Sequence, residues 1–285
     1  MSDLLAGNVI LAAGLTLVTL AIQIGAYAAR YAGIITGRIA TAISLFSLLV
    51  TASRLAALFQ VPSLGALADA QANAATDAHR TTLTPEALTL FDHQMRIIVG
   101  ANSVGVLLGA FLLPFFLAMF VRGIRSFERL GSIPHALARL FDPRVIRGLL
   151  PELRIRSVAL ARYPLNAVPR TLLLANVVLF AVYSIGVVAS FYASVIDLHA
   201  RTTATGLSGL VNGVGTVAFA LFIDPTTAFI VDQTVREERP RSDVLSMIFW
   251  LCVTAFIGTL LAQLILFPAA EYIAWVAEHW PHGKH

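Results

Sequence analysis

Charge is scarce in this chain. Asp, Glu, Lys and Arg make up 13% of its 285 residues, about half the share of a soluble domain, where they reach about 25%. Lysine is nearly absent, with Lys284 alone among twenty basic residues. That leaves no residue for the lysine of a G-x-x-x-x-G-K-[ST] phosphate loop, so nucleotide hydrolysis by this polypeptide is not expected. Cysteine is reduced to Cys252, inside an apolar stretch, which excludes an intramolecular disulfide and argues against a thiolate metal site. There is no H-E-x-x-H and no G-x-S-x-G, and His79, His93, His135 and His199 stand singly in connecting segments. No metal, cofactor, nucleic-acid partner or catalytic group is expected, and the chain reads as a non-enzyme.

What is abundant is apolar surface. Hydrophobic side chains are 58% of the sequence and the mean hydropathy is +0.80, values that place the chain in a bilayer. Cutting at charges and Gly/Pro clusters leaves six apolar runs, at 4–29, 39–60, 97–121, 171–195, 206–230 and 244–267, each near the length of about 20 residues that a spanning helix needs. The first follows Asp3 rather than a basic region and is too long for the core of a signal peptide, so it reads as a retained span. The expected fold is all-α: one polytopic membrane domain over 1–285, with six transmembrane helices in a three-plus-three arrangement. The halves would then start on opposite sides, the topology of an inverted-repeat transporter, although Asn102-Ser-Val-Gly105 against Asn212-Gly-Val-Gly215 is the only internal echo.

The connection 122–170 holds ten arginines against Glu128, Asp142 and Glu152, so the positive-inside rule makes it cytoplasmic. Alternation then puts Arg30, Arg38, Arg236, Arg239 and Arg241 inside and Arg80, Arg96, Arg201 and Lys284 outside, with both termini out. Leu140, Phe141, Val145, Ile146, Leu149 and Leu150 among those arginines suit short amphipathic helices lying on anionic phospholipid. Thr84-Pro85-Glu86 reads as a helix start with Thr84 as N-cap, running on into the third span. In the tail, 268–285, Tyr272, Trp275 and Val276 share one side, as in an interfacial anchor.

Intramembrane charges point to function, because each costs about 2.5 to 3.5 kcal/mol on insertion scales. Two fall inside the runs: Arg54, in the outward half of the second, and Asp224, followed by Pro225, in the inward half of the fifth. They are too far apart along the membrane normal, by about 15 Å, to pair directly. Asp224 has Arg30 and Arg38 within snorkelling reach; Arg54 has no acid at its level. Asn102 and Asn212 share its depth, and an arginine fork among amides suits phosphate oxygens and sugar hydroxyls. Gln60 and Gln263, nearer the outer surface, read as helix-to-helix partners, and Gly105 with Gly109 and Gly209 with Gly213 as packing positions or room between helices. The substrate-binding residues expected are Arg30, Arg38, Arg54, Asn102, Asn212 and Asp224, and the ligand class is an anionic amphiphile.

Several strings carry a family likeness. Tyr27-Ala-Ala-Arg30-Tyr-Ala-Gly33-Ile-Ile-Thr36-Gly-Arg38-Ile-Ala40, Ser44-Leu-Phe46, Ser53-Arg54 and Gln60-Val-Pro62-Ser-Leu-Gly65, with Asn212-Gly-Val-Gly215-Thr, Asp224-Pro225 and Gly258-Thr-Leu-Leu-Ala-Gln263 in the second half, resemble the Amj family of alternate lipid II flippases. Leu55-Ala56-Ala57 departs from it, where an Asn is expected after the Ser-Arg pair. The resemblance implies a protein of the bacterial cytoplasmic membrane that moves the undecaprenyl-diphosphate-linked peptidoglycan precursor, or a related polyprenyl-diphosphate lipid, to the outer leaflet. Two other classes remain open on the residues alone. One is a membrane enzyme on lipid phosphates using Asp224, His199 and Asp197; the other is a scaffold for cell wall machinery docking through the arginine-rich loop. The sequence sets neither the driving force nor the oligomeric state.

Overall fold

A computed structural model describes residues 7–131, 143, 147–148, 151 and 162–280. The expected amphipathic helices carried by Leu140, Phe141, Val145, Ile146, Leu149 and Leu150 therefore lie outside the described residues. Those that are described contain helices and no strand, and six helical runs are long and apolar enough to cross a membrane: Gly7–Thr36, Ile39–Asp77, Pro85–Phe111, Arg170–Ile196, Arg201–Val235 and Arg241–Glu278. With this length and composition the chain is a multi-pass membrane protein.

Three of the runs are broken, a feature that hydropathy did not mark. The first consists of α1 (Gly7–Gly25) and α2 (Ala28–Thr36), the second of α3 (Ile39–Leu58) and α4 (Gln60–Asp77). The third is α5 (Pro85–Phe111); a separate helix α6 (Leu113–Leu130) follows with Pro114 in its first turn, where the missing N–H costs nothing. This places the third run about ten residues earlier than the expected 97–121, because Thr84 does cap it, its hydroxyl accepting from the Ala87 N–H at 3.2 Å. Arg96, expected outside the bilayer, consequently sits within α5. The fourth run, α7 (Arg170–Ile196), is continuous. The fifth is α8 (Arg201–Ala218), a π-helical turn at Phe219–Ile223, and α9 (Asp224–Val235); the sixth, α10 (Arg241–Glu278), continues unbroken past Pro268.

Small residues set the closest packing. Added Cβ atoms at Gly105 and Gly109 would lie 2.6 Å from the carbonyl oxygens of Leu17 and Ala21, so α5 and α1 run side by side in the same direction with backbones in contact. Gly258 does the same for α10 against α7, its missing Cβ 2.5 Å from the Val177 carbonyl. Polar side chains tie α7 and α5 to α10. Asn176 donates to the Leu251 carbonyl at 2.9 Å and to Thr254 Oγ1 at 2.8 Å, and Ser103 donates to Thr259 at 2.9 Å. Gln263 donates to the Arg96 carbonyl at 2.9 Å while an Arg96 Nη1–H donates to the Gln263 carbonyl at 2.8 Å. Gln263 is thus the helix-to-helix partner that its position suggested.

One end of the bundle carries the turns at 37–38 and 236–240 and the start of α7; we call it the basic end, and the other the far end. At the far end Phe91, Met95, Ile98, Val188, Tyr192 and Leu266 form the core. Toward the basic end Leu20, Ile24, Phe180, Met247 and Leu251 do. α6 buries Phe116, Phe120 and Ile124 against Ala28, Ala32 and Leu45. Phe116 occupies the notch left by Gly25, where a Cβ would come within 2.2 Å of its ring. In the tail Tyr272 and Trp275 stack on the surface, whereas Val276 packs on the core, so the three do not share one face.

Candidate functional site

The helices divide along a seam. α3 packs on α1, α2, α4 and α6, and α8 packs on α7 and α10, but no extended contact joins the α3–α4 run to the α8–α9 run. Behind the seam stands α7, against which α4 packs, and Tyr183 of α7 accepts a hydrogen bond from Gln23 of α1 at 3.2 Å. Gly215 keeps α8 close here, its missing Cβ 3.5 Å from the Tyr183 ring.

Two ion pairs bridge the seam. Toward the basic end Arg30 of α2 donates through Nη2 to Asp224 Oδ1 of α9 at 2.9 Å. The guanidinium lies over the rings of Tyr27 and Phe46, 5.2 and 5.0 Å from their centroids, in cation–π contact with both. Arg30 is nearly buried, at 11% side-chain exposure, while Asp224 is 54% exposed. The other terminal nitrogen of Arg30, Nη1, is buried without a hydrogen-bond partner. Asp224 opens α9 directly after the π turn, a distortion often found at functional positions. At the far end Asp69 of α4 pairs with Arg201, the first residue of α8. Along α8–α9 the interval from Arg201 to Asp224 measures about 35 Å at the helical rise, close to the hydrocarbon thickness of about 30 Å.

Arg54 stands between the two pairs. It is exposed on α3 and makes no ion pair or hydrogen bond with any described residue. Because the second run continues through α4 to Asp77, Arg54 is not in the outward half as expected but near the middle. It lies about 22 Å along the helix from Asp69 and about 12 Å in depth from Asp224. Asn212 lies on α8 about 16 Å from Arg201, at a depth near that of Arg54.

Asn102 is elsewhere. It is buried on α5 and donates to the Ser184 carbonyl of α7 at 3.2 Å. An amide in a spanning helix meets either a ligand or another helix, and here the neighbouring helix takes it. Arg38 likewise does not share Asp224; it pairs with Glu128 of α6 at 2.6 Å on the surface. Beside it a cavity of about 570 Å³ is lined by Gly33, Gly37, Thr234, Glu237, Arg239 and Arg241. Gly37 is left-handed there, φ 68°, which a glycine adopts without strain. Of the glycines at four-residue spacing, Gly105 and Gly109 are packing positions, while added Cβ atoms at Gly209 and Gly213 would meet nothing within 4 Å.

Sequence reading missed the Asp69–Arg201 pair, since both were assigned to connecting segments. The available signal was the low hydropathy of an otherwise helical 61–77, rich in Ala and free of internal breaks after Pro62 and Gly65.

No solved structure matches the chain. A curated relative, "Lipid II flippase Amj" of Bacillus subtilis (strain 168), is 32% identical over 255 residues, covering 89% of this chain and 90% of that protein. The family model described as Amj, "Alternate to MurJ", matches residues 15–277, a stretch that takes in both walls of the seam with Arg30, Arg54 and Asp224. On that match and that identity, the chain belongs to the Amj family.

Proposed function

We propose that this protein is a lipid II flippase, carrying the undecaprenyl-diphosphate-linked peptidoglycan precursor from the inner to the outer leaflet of the bacterial cytoplasmic membrane. The basic end would face the cytoplasm and the far end, with both termini, the outside. The observation that carries the reading is Arg54, an arginine in the middle of a spanning run, exposed on α3 and without an ion-pair or hydrogen-bond partner among the described residues. A charge so placed is costly unless an anion completes it, and a diphosphate does so through the guanidinium fork.

The seam suits such a passenger. Dragging phosphates and sugars through hydrocarbon becomes affordable only where polar groups replace their water, while the polyprenyl tail stays in lipid. Arg38, with Arg239 and Arg241 beside the basic-end cavity, receives the diphosphate. Arg30 takes it next, its orphaned Nη1–H offering a donor while Asp224, the more exposed partner, gives way. Arg54, with Asn212 of α8, is the midway station. Asn102, engaged between α5 and α7, has a packing role. Broken helices around a central site are the construction found in secondary transporters, and a three-plus-three arrangement of the runs would be in keeping with it.

The test uses cells depleted of other flippases and an externally added enzyme that cleaves lipid II. Expression of this chain should expose lipid II to cleavage, and Arg54→Ala, made and inserted in normal amounts, should leave it protected. If Arg54→Ala supports full exposure, the midway station is wrong. If the unaltered protein, present and inserted, exposes none, the substrate is wrong.

A further inference from the structure

The seam widens at its far end into a cleft of about 840 Å³ between α4 and α8, within the size range of small-molecule sites, about 300 to 1,000 Å³. Its walls are small: an added Cβ at Gly206 would meet nothing within 4 Å, and one at Gly65 only the Phe191 ring at 3.7 Å. The hydroxyls of Thr202 and Ser208 line it and make no hydrogen bond with a described residue. Asp69 and Arg201 both line it and pair with each other. The two partners are held unequally, Arg201 being 28% exposed and Asp69 59%.

We infer that this cleft is a further, far-end phosphate-binding station, at which Arg201 exchanges the Asp69 carboxylate for a phosphate of the lipid-linked substrate. The inference rests on the function proposed above and names a site beyond Arg30 and Arg54. A carboxylate and a phosphate present the same face to a guanidinium, two oxygens matched to two N–H donors. Asp69 therefore holds the place of the ligand when none is bound. Its greater exposure makes it the member that swings away, while the wall keeps Arg201 aimed into the cleft. Thr202 and Ser208 then supply hydroxyl donors to the remaining phosphate oxygens, and the glycines leave room for the first sugar. Exchange rather than simple capture also aids release, because the returning carboxylate displaces the product.

The roles of the two partners are opposite, and so is the expected effect of removing them. Binding of lipid II to the full chain in zwitterionic nanodiscs should weaken at least about tenfold in Arg201→Ala, which removes the charge-assisted fork. In Asp69→Asn, which removes the competitor, it should tighten severalfold. Arg201→Lys keeps the ion pair and the melting temperature but loses the fork, so its affinity should fall between Arg201→Ala and the unaltered chain. A merely structural latch would shift Asp69→Asn and Arg201→Ala in the same direction, and that result overturns the station. So does unchanged affinity in both while Arg54→Ala weakens binding, an outcome that leaves the proposed function standing. Binding of phosphatidylglycerol as tight as that of lipid II, with the same order of variants, would reassign the cleft to bulk anionic headgroups. No binding of lipid II to the unaltered chain would remove the proposed function together with the station.

Discussion

Arg30 shows how a charge is made tolerable in a spanning run. Two aromatic rings make cation–π contact with it, a carboxylate neutralises one terminal nitrogen, and the other waits without an acceptor. Removing Asp224 strands the guanidinium, so Asp224→Ala should cost about 1.5 to 3 kcal/mol of stability. Asp224→Asn should cost less because its amide oxygen still accepts; thermal unfolding in detergent reads both. Arg54 has nothing to lose, and Arg54→Ala should leave the melting temperature within about 0.5 kcal/mol of stability while removing transport. The contrast was partly legible in the sequence. Arg54 stood out because no acid falls at its depth, and Arg30 could be set against Asp224 by snorkelling reach. That Arg38 would turn to Glu128, and Asn102 to the Ser184 carbonyl, was not legible: each outcome depends on which helix lies alongside, and spacing along one chain does not hold that information.

At the scale of the element, close approach and open space are separate uses of glycine. Gly109→Val should push α5 from α1, because its Cβ would lie 2.6 Å from the Ala21 carbonyl. A cost of about 1 to 3 kcal/mol is expected from overpacking, seen as a lower melting temperature or lower yield. Gly213→Ala, with nothing within 4 Å, should be neutral in the same assay. The long apolar runs were legible since hydropathy alone decides residence in a bilayer, and the start of α5 was legible through Thr84-Pro85. The breaks were not. Pro114 and Pro225 mark two, but the turn at 26–27 and the change at Phe59 carry no proline.

As a whole, the molecule is built on three unbroken runs, α5, α7 and α10, with the interrupted runs arranged around them. Cys252 is buried on α10, at 6% exposure, so membrane-impermeant thiol reagents should pass it by and single reporter cysteines can be read against a silent background. A cysteine at Gly37 should then be labelled only from the cytoplasmic face and one at His79 only from outside; the reverse pattern would invert the proposed orientation. The two ion pairs of the seam have opposite polarity. The first half contributes Arg30 and Asp69, the second Arg201 and Asp224, so on the seam walls each half carries one positive and one negative member. Rocking the halves against each other thus moves no net charge through these four groups. An electric field across the membrane, worth about 2.3 kcal/mol per elementary charge per 100 mV, finds its handle in Arg54 instead. If Arg54 is the midway station, the field acts on a positive charge that no described residue pairs when the seam is empty, and on a net negative one with a diphosphate bound, so voltage would push the loaded and unloaded protein in opposite directions.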